Sequence, residues 1–281
     1  MILVEEILKL KEISFELRKS VIKMLAHAKS GHPAGSLGMA DIFSALYFKF
    51  LNINPKNPYE LNRDRLILSN GHICPILYSA MAKKGFFPEE ELLSFRSINS
   101  RLQGHPHSDS LPGIENSSGP LGQGISFGLG VAMNAELSNY KYTTFIIGSD
   151  GELNEGQSWE AIMLAGARKV SRLILIIDKN NIQISGNTKD ILNLDPLSEK
   201  FEAFGWYVFE INGNNMEEIY LAISKSMSII SKPVVIIANT IPGFGVDFME
   251  YKFEWHGKPP SEKEAQLALE SLEKNYKNEK K

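Results

Sequence analysis

A single cysteine, Cys74, stands in 281 residues. No internal disulfide framework is possible, and a reducing, cytoplasmic location is expected. An excess of one charge is also missing: 30 Lys and Arg face 33 Asp and Glu, a formal net charge of -3 spread along the chain. That balance excludes the basic footprint of a nucleic-acid binder and the polybasic face of a membrane-surface protein. Long apolar runs are absent, and segments such as 173–177 are far too short to span a bilayer. No export signal is expected at the start of the chain, because Glu5, Glu6, Lys9, Lys11, Glu12 and Glu16 interrupt the apolar positions of residues 1–19. That stretch predicts an amphipathic helix instead. There is no internal repeat and no Pro- or Ser-rich linker long enough to split the chain. One large domain over residues 1–272 is therefore expected, followed by a Lys-rich, loosely ordered tail over 273–281.

What is present reads as an alternating α/β chain. Hydrophobic residues make up 43% of the sequence, enough to bury a substantial core. Short β-branched runs at 143–147, 173–177, 207–211 and 234–238 are each bounded by turn residues. Runs of this kind suit parallel strands buried on both faces. Helical patterns at 40–51, 75–84, 89–95, 122–137, 158–169 and 216–229 alternate with them. The expectation is a three-layer α/β fold, a parallel sheet flanked by helices. Between Gly85 and Gly119 the chain turns polar and is punctuated by Gly104, Pro106, Pro112 and Gly113, which predicts a long functional loop.

Two predicted strand ends carry oxygen-rich segments, where ligands of open parallel sheets bind. Gly148-Ser149-Asp150-Gly151-Glu152-Leu153-Asn154-Glu155-Gly156 follows the first, and Asp178-Lys179-Asn180-Asn181-Ile182 follows the second. A helix between them makes one βαβ unit that brings Asp150 and Asn180 together. A carboxylate, an amide oxygen and the Ile182 carbonyl, completed by diphosphate oxygens, suit Mg²⁺ or another divalent cation such as Ca²⁺. The bland alternative is that Asp and Asn merely form turns there.

The wider order of motifs decides between these. Upstream stand Ser30-Gly31-His32-Pro33-Ala34-Gly35-Ser36-Leu37-Gly38, Ser69-Asn70-Gly71-His72, Gly104-His105-Pro106 and Gly119-Pro120-Leu121-Gly122-Gln123-Gly124-Ile125-Ser126. Downstream stand Thr240-Ile241-Pro242-Gly243-Phe244-Gly245 and His256-Gly257. In this order, with Asp150-Gly151 about thirty residues before Asn180, they resemble the thiamine-diphosphate signature of transketolases over almost the whole chain.

The resemblance implies a thiamine-diphosphate-binding fold and assigns roles. His72 contacts the cofactor diphosphate. His32 and His256 touch the cofactor and sit where reacting carbonyl and hydroxyl groups exchange protons, which neutral imidazoles do well. His105 holds the donor's terminal hydroxyl. The backbone at Gly119, Pro120 and Leu121 reaches the aminopyrimidine side, and Gly151 lets the backbone approach the diphosphate. Glu155 joins an acidic network between cofactor halves, although a first-turn helix glutamate would look the same. His27 and His107 fall outside the motifs and are read as structural or surface residues.

One departure stands out: Ser149 occupies the place of the usual Gly before Asp-Gly. If that position needs a positive φ or close phosphate approach, Ser costs stability or cofactor affinity. Full-length transketolases are more than twice as long, and their other half supplies the glutamate that contacts the pyrimidine ring. The resemblance thus implies the N-terminal subunit of a split transketolase, active only with a C-terminal subunit carrying the pyrimidine-binding domain. A dimer of such heterodimers would transfer a two-carbon glycolaldehyde unit between sugar phosphates, as in the pentose phosphate pathway. Two other readings remain: half of a related enzyme, such as a 2-oxo acid dehydrogenase alpha chain or a deoxyxylulose phosphate synthase, and a cofactor-binding relic without turnover.

Overall fold

The computed structural model describes residues 2–279. Five strands form one parallel sheet: β1 (Arg65–Leu68), β2 (Thr144–Ser149), β3 (Leu173–Lys179), β6 (Tyr207–Asn212) and β7 (Val234–Asn239). Their order across the sheet is β1-β2-β3-β7-β6. The short pair β4 (Ile182–Gln183) and β5 (Gly186–Asn187) makes a separate antiparallel hairpin. Four strands coincide with the predicted runs. The fifth, β1, has only four residues and gave too short a pattern to be read from sequence.

Successive side chains of a strand point to opposite faces, and this alternation builds two cores. Leu66, Leu68, Phe145, Ile147, Ile174, Ile176, Val234 and Ile236 belong to one. Ile67, Ile146, Leu173, Leu175, Ile177, Val235 and Ile237 belong to the other. Helices α1 (Ile2–Ala28), α2 (Pro33–Gly38), α3 (Ala40–Ala45), α4 (Cys74–Lys84), α9 (Met216–Ser228) and α10 (Glu262–Glu279) contribute to the first core. Helices α5 (Gln123–Leu137), α6 (Gly156–Ala167) and α8 (Leu197–Ala203) cover the second. A single helical turn, α7 (Thr188–Ile191), follows the hairpin. The three-layer α/β expectation is met.

The amphipathic helix expected over 1–19 runs on to Ala28 as α1, with Met1 outside the described residues. The helix predicted over 40–51 divides into α3 and a π-helical turn, Leu46–Phe50. The loosely ordered tail is corrected. Through Glu279 it forms the last turns of α10, while Lys280 and Lys281 lie outside the described residues. Ala265, Ala268 and Leu272 make a narrow helical stripe that α10 buries, and Tyr276 stacks on Phe15 of α1 with ring centroids 4.2 Å apart. Such a polar helix gains its stability from this packing rather than from propensity. No described helix is long and apolar enough to cross a membrane.

The 85–119 segment is irregular apart from a short 3₁₀ turn, Glu89–Ser94. It is nonetheless pinned to α4. The Tyr78 hydroxyl donates to the Gln103 carbonyl at 2.9 Å, and Cys74 Sγ lies 3.1 Å from the Gly104 carbonyl. Arg96 also donates to that carbonyl at 3.2 Å and to Ser30 Oγ at 2.5 Å. These bonds fix the stretch that delivers His105.

Candidate active site

The carboxyl ends of β2 and β3 meet, as the βαβ argument requires. The Asp150 N–H donates to the Asp178 carbonyl at 3.1 Å. The Asp150 carboxylate accepts from the backbone N–H of Gly151 at 2.8 Å on Oδ1, and from that of Asn181 at 2.8 Å on Oδ2. Thr188 Oγ1 adds a bond to Oδ2 at 3.3 Å. Asp150 is nearly fully buried, and burial pushes its pKa up to about 6 against the pull of the Asn181 and Gly151 amides.

Asn180 is held by a neighbour, Asp178, to which the motif pattern gives no role. Its Nδ2 donates to Asp178 Oδ2 at 2.8 Å, and the Thr240 hydroxyl donates to the other Asp178 oxygen. Asp178 thereby fixes which way the Asn180 amide faces, leaving Oδ1 to accept from the Ile182 N–H at 3.0 Å. Burial raises Asp178 to about 7. One βαβ unit thus supplies three hard oxygens: the Asp150 carboxylate, the Asn180 amide oxygen and the Ile182 carbonyl. This donor set fits a small divalent cation that keeps other ligands such as phosphate oxygens in its shell. Among the described residues no group of three or more His, Cys, Asp or Glu could hold a metal by itself.

Beside this corner opens a cleft of about 480 Å³ lined by His32, His72, His105, Gly119, Leu121, Gly151, Asn180, Ile182 and His256, together with Ser149, Glu152 and the 183–185 hairpin tip. Four separated segments bring the imidazoles there. His32 is the N-cap of α2, and His72 lies in a 3₁₀ turn (Gly71–Ile73) between β1 and α4. His105 comes from the pinned loop, and His256 ends the turn Phe253–Trp255, anchored by buried Trp255. Ring centroids of His32, His72 and His256 lie 5.1 to 5.7 Å apart.

Desolvation holds all four imidazoles below their ordinary pKa, although His105 is exposed at the surface. His32 is held down at about 4, with His256, Arg96 and His105 adding to desolvation. His72 is lowered well below 6.5 by burial and then by its histidine neighbours. His256 is lowered by burial, and His105 by desolvation and then Arg96. Neutral imidazoles at neutral pH can both donate and accept, as proton exchange at a carbonyl or hydroxyl requires. His32 Nδ1 and Gln183 Nε2 are buried without a hydrogen-bond partner among the described residues, so the cleft has unspent capacity for a polar ligand.

Most expected site residues therefore converge. Asp150 itself does not line the cleft, whereas its neighbours Ser149 and Gly151 do. Glu155 does not line it, but stands exposed as the N-cap of α6. His27 is exposed at the end of α1, and His107 is exposed on the loop; neither lines the cleft. Ser149 is the last residue of β2, paired with Asp178, and is absent from the positive-φ residues. Its backbone is extended, so serine there carries no conformational strain. Asp178 was legible in principle, because it stands in the same oxygen-rich segment two positions before Asn180, near the end of β3. Arg96 lies in none of the motifs, and no sequence signal marks it.

Sheet, oxygen corner and imidazole cluster together define a thiamine-diphosphate-binding α/β domain. The family model described as "Transketolase, thiamine diphosphate binding domain" matches residues 11–279. The chain is 40% identical over 258 residues to the "6-deoxy-6-sulfo-D-fructose transketolase subunit SqwG" of Clostridium sp. (strain MSTE9), covering 92% of this chain and 94% of that one. It is 39% identical to an apulose-4-phosphate transketolase subunit of Actinobacillus succinogenes, covering 91% and 93% respectively. Among solved structures, transketolase from Campylobacter jejuni superposes with a TM-score of 0.89 at 38% identity, over 94% of this chain and 42% of that chain. The chain belongs to the transketolase thiamine-diphosphate-binding domain family.

Proposed function

We propose that this chain is the diphosphate-holding subunit of a two-subunit transketolase, which moves a two-carbon ketol unit from a ketose to an aldose. The observation that carries the reading is the His32, His72 and His256 cluster beside the Asp150 and Asn180 oxygen corner. It stands in a chain that matches 94% and 93% of two relatives described as transketolase subunits. When bound, thiamine diphosphate supplies the carbon nucleophile and electron sink for cleaving the bond next to a ketose carbonyl. Asp150, Asn180 and the Ile182 carbonyl would hold Mg²⁺ against its diphosphate, with Gly151 and His72 beside it. His32 and His256, both neutral, exchange protons with the substrate oxygens, and His105 at the mouth binds a donor hydroxyl. Glu155 stays outside the cleft, facing the second subunit.

The partner contributes the pyrimidine-contacting half. The face proposed for it is the outer surfaces of α5 and α6, a reading supported by the exposure of Phe127, Met163 and Leu164 beside Gly130 and Val131. An apolar patch of that kind marks an interaction surface. A pair of heterodimers in the cytoplasm is the expected assembly. The relatives act, by their names, on 6-deoxy-6-sulfo-D-fructose and apulose 4-phosphate, so the proposed donors are ketoses with an anionic far end, not pentose phosphates alone.

The test combines the purified chain with thiamine diphosphate, Mg²⁺ and a candidate second subunit, and follows two-carbon transfer from xylulose 5-phosphate and from 6-deoxy-6-sulfo-D-fructose to ribose 5-phosphate. Transfer that needs both polypeptides and disappears in Asp150→Ala supports the proposal. A cofactor-loaded complex that decarboxylates a 2-oxo acid, or transfers nothing, overturns it.

A further inference from the structure

Glu152 has no role in the reaction as described, yet it is 0% exposed and lines the cleft. Its Oε1 accepts two hydrogen bonds, from Ser69 Oγ at 2.5 Å and from the Gly122 N–H at 2.7 Å. Ser69 directly follows β1. Gly122, at φ +83, is the N-cap of α5 and ends the 119–122 stretch. Glu152 itself lies in the turn Gly151–Asn154 that begins at the diphosphate corner. Its second oxygen, Oε2, is buried without a hydrogen-bond partner among the described residues. The backbone makes room for that oxygen, since a Cβ on Gly148 would come within 2.9 Å of it. A position serving packing alone would be filled at less cost by an apolar side chain, because a buried carboxylate carries a desolvation penalty.

We propose that Glu152 is a positioning residue whose carboxylate ties the 119–122 backbone to the Asp150 and Gly151 turn. It thereby sets the spacing at which the two ends of the cofactor are gripped. The inference rests on the proposed function, in which the diphosphate lies at Asp150 and Gly151 and the pyrimidine side faces Gly119 and Leu121. It separates two ligands that share one chemistry: thiamine diphosphate needs both grips, whereas inorganic diphosphate needs only the corner.

Calorimetric titration of the full chain, alone and with its partner subunit, uses thiamine diphosphate with Mg²⁺ and inorganic diphosphate with Mg²⁺ as probes. Glu152→Ala is expected to weaken thiamine diphosphate by about 10- to 100-fold, the usual effect of losing a group that orients a ligand-holding one, while inorganic diphosphate binds as before. Glu152→Gln keeps an oxygen acceptor for both donors and is expected to restore most of the affinity. An alanine variant that binds both probes like the wild type, or loses both in equal proportion, overturns the proposal, as does a glutamine variant no better than alanine. Should Glu152→Ala fail to fold, Ser69→Ala carries the same test, removing one donor and weakening thiamine diphosphate selectively. Wild-type protein that binds inorganic diphosphate but never thiamine diphosphate overturns the functional reading itself, an outcome distinct from any behaviour of the variants.

Discussion

Burial decides protonation at His32, and the sign of its effect on stability follows. Desolvation holds His32 at about 4, against an ordinary value of 6.5 in the unfolded chain. Between those values the unfolded chain binds more protons, so stability from this residue is present above pH 6.5 and lost as pH falls toward 4. His32→Asn is expected to make the decline in Tm across that window shallower than in the wild type, as read by differential scanning fluorimetry. Identical slopes would contradict the assignment of a buried neutral imidazole. Ser149 teaches a different lesson. Replacing it with the family's glycine relieves no strain in an extended strand. Ser149→Gly is expected to lower stability by up to about 1 kcal/mol, through the entropy of glycine in a strand. A rise in the urea midpoint would show that the serine is strained after all.

Between elements, the buried ion pair of Arg18 and Asp41 joins α1 to α3, with Arg18 Nη2 2.5 Å from Asp41 Oδ2. Arg18 also donates from Nε to the Leu37 carbonyl, at the end of α2. Asn214 donates to Asp41 Oδ2 at 3.0 Å and accepts the Ile241 N–H at 2.8 Å, which ties in the turn following Thr240. The pair sits away from the cleft and so tests the scaffold alone. Asp41→Ala leaves a guanidinium buried without its counter-charge and is expected to cost about 3–5 kcal/mol in denaturant unfolding. A loss under about 1 kcal/mol, the range of exposed pairs, would mean that water reaches the site.

For the whole molecule, the exposed outer faces of α5 and α6 carry the expectation of assembly. Phe127 is 48% and Met163 is 53% exposed. A charge at either place is compatible with the folded chain, because the side chains already face solvent. Phe127→Glu and Met163→Glu are expected to leave the circular dichroism spectrum unchanged while abolishing complex formation with the second subunit in light scattering. Unimpaired association by both variants would place the interface elsewhere. Glu155 stands exposed at the start of the same helix α6.

How much of this was legible in the sequence differs between elements and contacts. Strands β2, β3, β6 and β7 announced themselves, because a strand buried on both faces is a local apolar run. The residues at Asp150, Asn180 and the four motif histidines were legible as a pattern of chemical types in fixed order. β1 was not, since four residues carry too little periodicity. Nor was α10, whose Ala265, Ala268 and Leu272 stripe gains stability only against the rest of the core. Only the tertiary structure decided that His32, His72 and His256 stand within 5.7 Å of one another, that Asp178 orients Asn180, that Ser149 is unstrained, and that Glu152 bridges Ser69 and Gly122. Each of these depends on where separate segments come to rest. Residue order encodes a side chain's chemistry and its strand or helix face, while its neighbours, burial and hence its pKa are set by packing between elements far apart in the chain.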